Sequence, residues 1–225
     1  MQIAISYVTA DSLSTDTDGA VFSIELATVL QANSLAFTNI SSLTLDSSNN
    51  YMIMISDMDL AAAYPSTIQN VTVNSCSTGI IKIQTLTNNL TQNNMLVISN
   101  VTVSDYNVSS SIDLIALTTL TTYDRYSIIF SSMTFSNLEF VQGGNIFNLE
   151  YLIGAPVQII DSVLNNIVGG KINVKSFTTN IANLTTDLIM SNVTVDNVNA
   201  KFDSFLILQT GAVVSVTDSI FTNIN

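Results

Sequence analysis

The sequence predicts an all-β chain wound as a parallel β-helix, a solenoid of about seven to eight turns with three short strands per turn. Three observations predict it. A seven-residue phrase recurs at intervals of 26 to 36 residues. The alternation of apolar and polar residues breaks step at the first residue of that phrase. A further apolar run, often led by glycine, follows each copy. A period of roughly 20–50 residues marks a solenoid, because one such unit cannot bury its own apolar face and must stack on the next.

The phrase begins with Asn, Asp or Ser, carries Phe, Val or Leu at its fourth position, returns to Asn, Asp or Ser at its sixth, and ends on an apolar residue. Its copies start at Ser34, Asn70, Asn100, Ser132, Asp161, Asn192 and Asp218, and read SLAFTNI, NVTVNSC, NVTVSDY, SMTFSNL, DSVLNNI, NVTVDNV and DSIFTNI. A weaker copy lies around residues 3–12. One strand precedes the phrase. In LVISNVTVSD, Ile98 sits two residues before Asn100, whereas Val101 and Val103 sit one and three after it. Side chains alternate with period two along a strand, so a straight strand cannot turn all three inward. The chain must bend near Ser99 and Asn100. Ile68, Phe130, Ile159, Met190 and Val216 stand in the same relation to their own copies. The second strand is the phrase itself.

The third strand is expected at residues 21–26, 51–55, 80–83, 112–117, 146–149, 172–174 and 205–208. Gly19, Gly79, Gly144 and Gly170 lead four of these runs and are expected to take φ > 0, where a Cβ would clash. Variable loops such as 56–66, 85–94 and 118–125 close each turn. Turns stacked at about 4.8 Å would place Phe37, Val73, Val103, Phe135, Leu164, Val195 and Phe221 in one interior column. Few caps, rare proline and a high β-branched and amide content argue against helices.

The composition sets limits on function. The chain has 225 residues, 47% of them hydrophobic and 10% charged. An average soluble domain is about 25% charged. Polarity comes instead from Asn, Ser and Thr, which favours an extracellular or cell-surface location. No apolar run approaches the ~18 residues of a spanning helix. The net charge is −12, with Arg125 the single arginine and Lys82, Lys171, Lys175 and Lys201 the lysines. Nucleic acid and membrane insertion are therefore not expected. The dispersed acids read as a solvated surface, with weak divalent-cation binding the sharper alternative. Cys76 is alone and takes an apolar slot of the phrase, so it reads as a buried core residue. The N-terminus does not read as a secretory signal. The whole chain, 1–225, is expected to form one β-helix domain, a segment of a longer repeat array.

The repeat resembles that of right-handed parallel β-helix proteins, the pectin-lyase-like architecture, and the long repetitive cell-surface proteins built on it. The Phe-x-Asn pieces at 37–39, 135–137 and 221–223 and the Gly-Gly-x-Ile pieces at 143–146 and 169–172 are similar to repeats of bacterial surface autotransporters. The resemblance covers nearly the whole chain and implies right-handed coiling, which agrees with the usual hand of parallel crossovers. It also implies where an enzyme of this fold would keep its chemistry: carboxylates or a calcium site beside a basic residue on the outer face. The Asp clusters, Gly-His-Gly and Arg-x-Lys of the polygalacturonase pattern do not occur.

Two polar columns run through the phrases. The first is Ser34, Asn70, Asn100, Ser132, Asp161, Asn192 and Asp218. The second is Asn39, Ser75, Asp105, Asn137, Asn166, Asn197 and Asn223. They read as corner residues, because Asn and Asp tolerate the left-handed backbone and bond neighbouring amides. Stacked amides can also bond along the ladder; the alternative is a ligand-binding strip. Asn39, Asn70, Asn89, Asn100, Asn107, Asn183 and Asn192 each begin Asn-x-Ser/Thr. Composition alone accounts for that number, so these are candidate glycosylation sites and no more. Asn89, Asn107 and Asn183, in loops, are the better ones.

Histidine is absent, which removes Ser-His-Asp and Cys-His catalysis and the commonest zinc ligand. Asp16 and Asp18 in TDTDG, and Asp57 and Asp59 in SDMDL, are the nearest carboxylate pairs; TDTDG resembles part of a calcium loop but lacks the later glutamate. No cofactor and no catalytic residue is expected. The first expectation is a structural protein, an extracellular rod that self-associates end to end into a filament and carries glycans. The alternatives are an adhesin or glycan-binding module using Tyr64, Tyr106, Tyr123 and Tyr126, and a polysaccharide lyase or hydrolase relying on Arg125.

Overall fold

The computed structural model describes residues 2–15, 20–27, 29–42, 51–59, 65–84, 86–87, 94–108, 112–118, 126–152, 157–176, 188–201, 204–209 and 212–225. The fold is an all-β parallel β-solenoid, with no helix among the described residues. The strands begin with β1 (Gln2–Asp11), β2 (Ser14–Thr15), β3 (Ala20–Ala27), β4 (Val29–Thr38), β5 (Ser41–Ser42) and β6 (Tyr51–Asp59). They continue with β7 (Ser66–Asn74), β8 (Gly79–Ile83), β9 (Leu86–Thr87), β10 (Asn94–Val108), β11 (Asp113–Leu117) and β12 (Tyr126–Ser131). The last are β13 (Thr134–Leu152), β14 (Val157–Ser176), β15 (Leu188–Asn199), β16 (Leu206–Gln209), β17 (Val214–Thr217) and β18 (Ile220–Ile224).

Pairing follows the repeat. β1, β4, β7 and β10 lie side by side in parallel, then β12 and β13, then β14 and β15, and finally β17 and β18 on β15. This row carries the strands before and within the phrase. The third strands form their own row, in the order β3, β6, β8, β11, the end of β13, the end of β14, and β16. β10, β13, β14 and β15 run through their corners and resume pairing one residue beyond each, because one left-handed residue turns the chain while the flanking backbone stays extended.

Five turns, those led by β4, β7, β10, β12 and β14, have a paired turn above and below on all three faces. The enclosed stack is thus about five turns, not the seven to eight that counting phrases suggests. The difference lies at the ends. Among the described residues, the turn led by β1 has a neighbour on one side only, β16 pairs only with β14, and β17 and β18 pair only with β15.

The interior column follows the expected register. Phe37 lies opposite Val73, then Val103, Phe135, Leu164, Val195 and Phe221. All are fully buried except Phe221, which is 41% exposed, with no strand among the described residues paired on the far side of β18. Burying such a side chain is worth roughly 1.5–3 kcal/mol, so repetition of the column supplies much of the cohesion. Phe147 packs edge-on against Phe130 and Phe135, at 5.1 and 5.6 Å between centroids. Ser162 and Ser219 occupy inward positions where other copies place Leu, Val or Met. The Ser162 hydroxyl accepts from the Met133 N–H and donates to the Ile160 carbonyl. Ser219 does the same with Val193 and Thr217, so neither introduces an unsatisfied group. Cys76 is buried; its thiol accepts from the Ile40 N–H and donates to the Asn74 carbonyl, and burial pushes it above the usual thiol range.

The glycines need a correction. Positive φ belongs to Gly143 (83°) and Gly169 (74°), the first glycine of each pair. Gly79, Gly144 and Gly170 do not share it and are needed for space instead. A Cβ on Gly79 would lie 2.3 Å from the Tyr51 ring, and one on Gly144 2.5 Å from both the Ile112 carbonyl and the Phe140 ring. Gly19 lies outside the described residues.

Candidate functional site

Every residue of the two polar columns has a left-handed backbone, with φ between 50° and 58°. Tyr7 (57°) and Ser12 (56°) occupy the equivalent positions of the first turn. This conformation costs an ordinary L-residue roughly 1–2 kcal/mol, and least for Asn and Asp. Each corner points the next residue back into the core, which is why Ile98, Val101 and Val103 are all fully buried despite their opposite parity.

The amides of these corners bond from turn to turn, always in one direction. Each side-chain Nδ2 donates to an oxygen one turn nearer the N-terminus. In the first column Asn100 donates to Asn70 (3.1 Å), Asn70 to Asn33 (2.7 Å), and Asn192 to Asp161 (2.7 Å). In the second, Asn197 donates to Asn166 (3.0 Å), Asn166 to Asn137 (2.8 Å), and Asn137 to Asp105 (3.0 Å). Asn39 donates to Asp11 (3.1 Å) and Asn223 to Asp196 (2.8 Å). Carboxylates can only accept, so a run that reaches one goes no further. Asp218, the last member of the first column, is a carboxylate for which no donation to Asn192 is possible.

The candidate glycosylation residues fall on these features. Asn39, Asn70, Asn100 and Asn192 are exposed, but the nitrogen that would carry a sugar is a ladder donor in each. Asn107 is also exposed, and its Nδ2 donates to Glu139 (3.2 Å). Asn89 and Asn183 lie outside the described residues. So do Arg125, Tyr64, Tyr123, Asp16 and Asp18, and the side chains of Tyr126, Asp57 and Asp59. Tyr106 is not on a loop surface. It is buried in the core, tilted against Phe140 at 6.0 Å, and its hydroxyl donates to the Thr78 carbonyl.

A third ladder was not anticipated. It lies along the third strands, buried at Asn148 and Asn173 and partly buried at Asp113 and Asn145. Gln209 donates to Asn173 (3.3 Å), Asn173 to Asn148 (2.8 Å), and Asn148 to Asp113 (2.7 Å). Asn145 donates to the other oxygen of Asp113 (2.5 Å). Burial pushes the Asp113 carboxyl above its usual range, the two amides pull it back, the Glu150 charge raises it further and Lys82 lowers it. Lys82 is nearly buried and lies over the Tyr51 ring, 5.5 Å from its centroid. Burial, reinforced by the Asp113 charge, drives the Tyr51 hydroxyl far above its usual range. Asn145 Oδ1 and Thr78 Oγ1 are buried without a hydrogen-bond partner. The sequence carries a signal for this cluster: single polar residues interrupt otherwise apolar third strands at Lys82, Asp113, Asn148 and Asn173.

Chemically, the three ladders hold register. A one-residue slip of any strand would separate every donor from its acceptor. Among the described residues, no group of three His, Cys, Asp or Glu is placed to hold a metal ion. A hollow of about 500 Å³ lies at the N-terminal edge against Gln2, Ile3, Ala4, Val29 and Gln31 and has no ionisable side chain among those residues. Compared with known proteins, the chain matches no family model, no curated protein and no solved structure, so what the fold establishes is an all-β parallel solenoid and not membership of a named surface family.

Proposed function

We propose that this protein is structural: an extracellular β-solenoid rod, part of a surface fibre, whose loops can carry glycans. One observation carries the reading. The same two left-handed corners, five residues apart, recur in every turn from Tyr7 and Ser12 to Asp218 and Asn223, with apolar columns and amide ladders aligned across them. What this chain repeats is a cross-section, and the natural product of a repeated cross-section is length. The low charge and high hydroxyl and amide content fit a surface outside the cell.

The test is immunogold electron microscopy of intact, unpermeabilised cells that express the protein, with an antibody raised against the chain. Labelled fibres or a labelled surface layer are the expected result. Label that appears only after permeabilisation would sink the proposal.

A further inference from the structure

Being a ladder donor does not close an asparagine to modification. A carboxamide nitrogen carries two hydrogens, and the ladder uses one of them. Asn70 shows which one. Its Oδ1 accepts from Asn100, one turn toward the C-terminus, at 3.1 Å. Its Nδ2 donates to Asn33, one turn toward the N-terminus, at 2.7 Å. The C=O and the donating N–H therefore point in opposite directions along the rod. In a planar amide, that N–H is the one anti to the oxygen. The second hydrogen prolongs the line from Cβ to Cγ, away from the backbone. Asn70 is exposed, so this hydrogen faces solvent.

A sugar attached to the nitrogen would take that second position. The attachment makes the side chain a secondary amide, which prefers its two carbon substituents trans, as a peptide does. Trans to Cβ is the outward position. The anti hydrogen remains and still reaches Asn33, while Oδ1 still accepts from Asn100. The geometry that the ladder imposes and the geometry that an N-linked sugar prefers are thus the same. Asn70 also begins Asn-Val-Thr, and Thr72 is exposed. In the sheet, Thr72 lies between Ala36 and Thr102, so short side chains flank the attachment point.

We propose that Asn70 is an N-glycosylation site whose sugar and ladder bonds coexist. The inference rests on the extracellular rod reading and moves the glycan from the loops to the corner ladder. The co-reactant is a sugar activated as a diphosphate. A C–N bond forms from Nδ2 to the anomeric carbon, the anomeric C–O bond breaks, and the diphosphate leaves with its electron pair. Nδ2 gives up one proton, and nothing is oxidised or reduced. Transfer precedes folding, because Nδ2 is engaged once the ladder closes.

The chain purified from cells that express it supplies the test. Release of the sugar by peptide N-glycosidase in heavy-oxygen water should convert Asn70 to an aspartate carrying the label, read by peptide mass spectrometry. Thr72→Ala removes the attachment signal and leaves Asn70 in place, so that variant should lose the glycan mass and keep its urea midpoint. Asn33→Ala then probes the ladder bond. It should lower the midpoint by the same amount in the glycosylated chain and in the Thr72→Ala chain. An Asn70 that is bare in the purified protein overturns the proposal. So does a glycosylated chain indifferent to Asn33→Ala beside a sensitive Thr72→Ala chain, since the sugar would then have displaced the bond. Surface labelling of cells together with a bare Asn70 would remove the glycan site and leave the rod reading standing.

Discussion

The Asp105 carboxylate accepts the Asn137 amide at 3.0 Å, and there the longest run of corner amides stops. Beyond it lies Ser75, to which a carboxylate has no proton to give. The ladder therefore has a polarity, and the two acidic and amide forms of one side chain are not equivalent along it. Asp105→Asn keeps an acceptor oxygen and a residue that tolerates φ > 0, so its stability should change by less than about 0.5 kcal/mol. Asn137→Asp loses the donor and sets two carboxylates one turn apart, for a cost of about 1–2 kcal/mol that shrinks with added salt. Urea unfolding of both variants at low and high salt measures the asymmetry. Equal effects would mean the ladder has no direction.

Asn166 separates the two contributions of a corner. It has φ of 55°, donates to Asn137 and accepts from Asn197. Asn166→Gly and Asn166→Ala both remove the ladder bonds, but only alanine must also pay the left-handed penalty. The alanine variant should be less stable than the glycine variant by about 1 kcal/mol. Urea midpoints decide this, and a glycine variant as unstable as the alanine one would assign the corner's value to the amide bonds alone.

The Gly-Gly pairs were legible only as turns. Gly143 needs its φ of 83°, and Gly144 needs the space taken by the Ile112 carbonyl and the Phe140 ring. Gly143→Asn should therefore be tolerated to within about 1 kcal/mol, since asparagine accepts a left-handed backbone. Gly144→Asn should be among the most damaging single changes, because a backbone carbonyl cannot move aside as a side chain can. Thermal unfolding of the pair checks the order, and reversal would exchange the two roles.

How much the sequence reveals follows from how local each cause is. Corners are local: a left-handed residue flips strand parity within three positions, so Ile98, Asn100 and Val101 announce the bend by themselves. The columns follow once the corners align. The glycines are not local, since Gly144 is constrained by Phe140 and Ile112 on different segments. The Asp113 ladder is not local either. Single polar residues mark Lys82, Asp113, Asn148 and Asn173 in the sequence, but each donor lies 25 to 36 residues from its acceptor, so the bonds between them cannot be read locally. Tyr106 misleads for a similar reason: a tyrosine in a polar stretch suggests surface, but it holds the core slot filled by Cys76 and Leu138 in the turns on either side.

Enclosure should show directly in the Phe37-to-Phe221 column. Phe135 is fully buried with a paired turn on each side, and Phe221 is on the last one. Phe135→Ala should cost about 3–5 kcal/mol, the usual range for a buried aromatic. Phe221→Ala should cost well under half as much. Comparable losses would mean that the last turn is as enclosed as the middle.

Asp113 gives the fold an unusual response to pH. Its folded value is raised, first by burial, above the ordinary 3.8. The folded state then holds this proton more tightly than the unfolded state does. Its contribution to stability is therefore greatest below 3.8 and declines as pH rises through the higher folded value. Asp196 has the opposite sign: bonds from Thr222 and then Asn223 lower its carboxyl, so its contribution is present above 3.8 and is lost as pH falls through the folded value. Asp113→Asn removes the first of these alone. The variant also loses an acceptor, because the Asn145 and Asn148 amides occupy both carboxylate oxygens and one would then face an N–H. It should be less stable than the unmodified chain by about 1–3 kcal/mol in acid, and the gap should narrow by about pH 7, where the unmodified chain carries the burial cost of the charge. Urea midpoints for both chains at the two pH values measure the gap. A gap that widens with rising pH would place the Asp113 carboxylate in an environment that favours its charge, contrary to the desolvation that raises it.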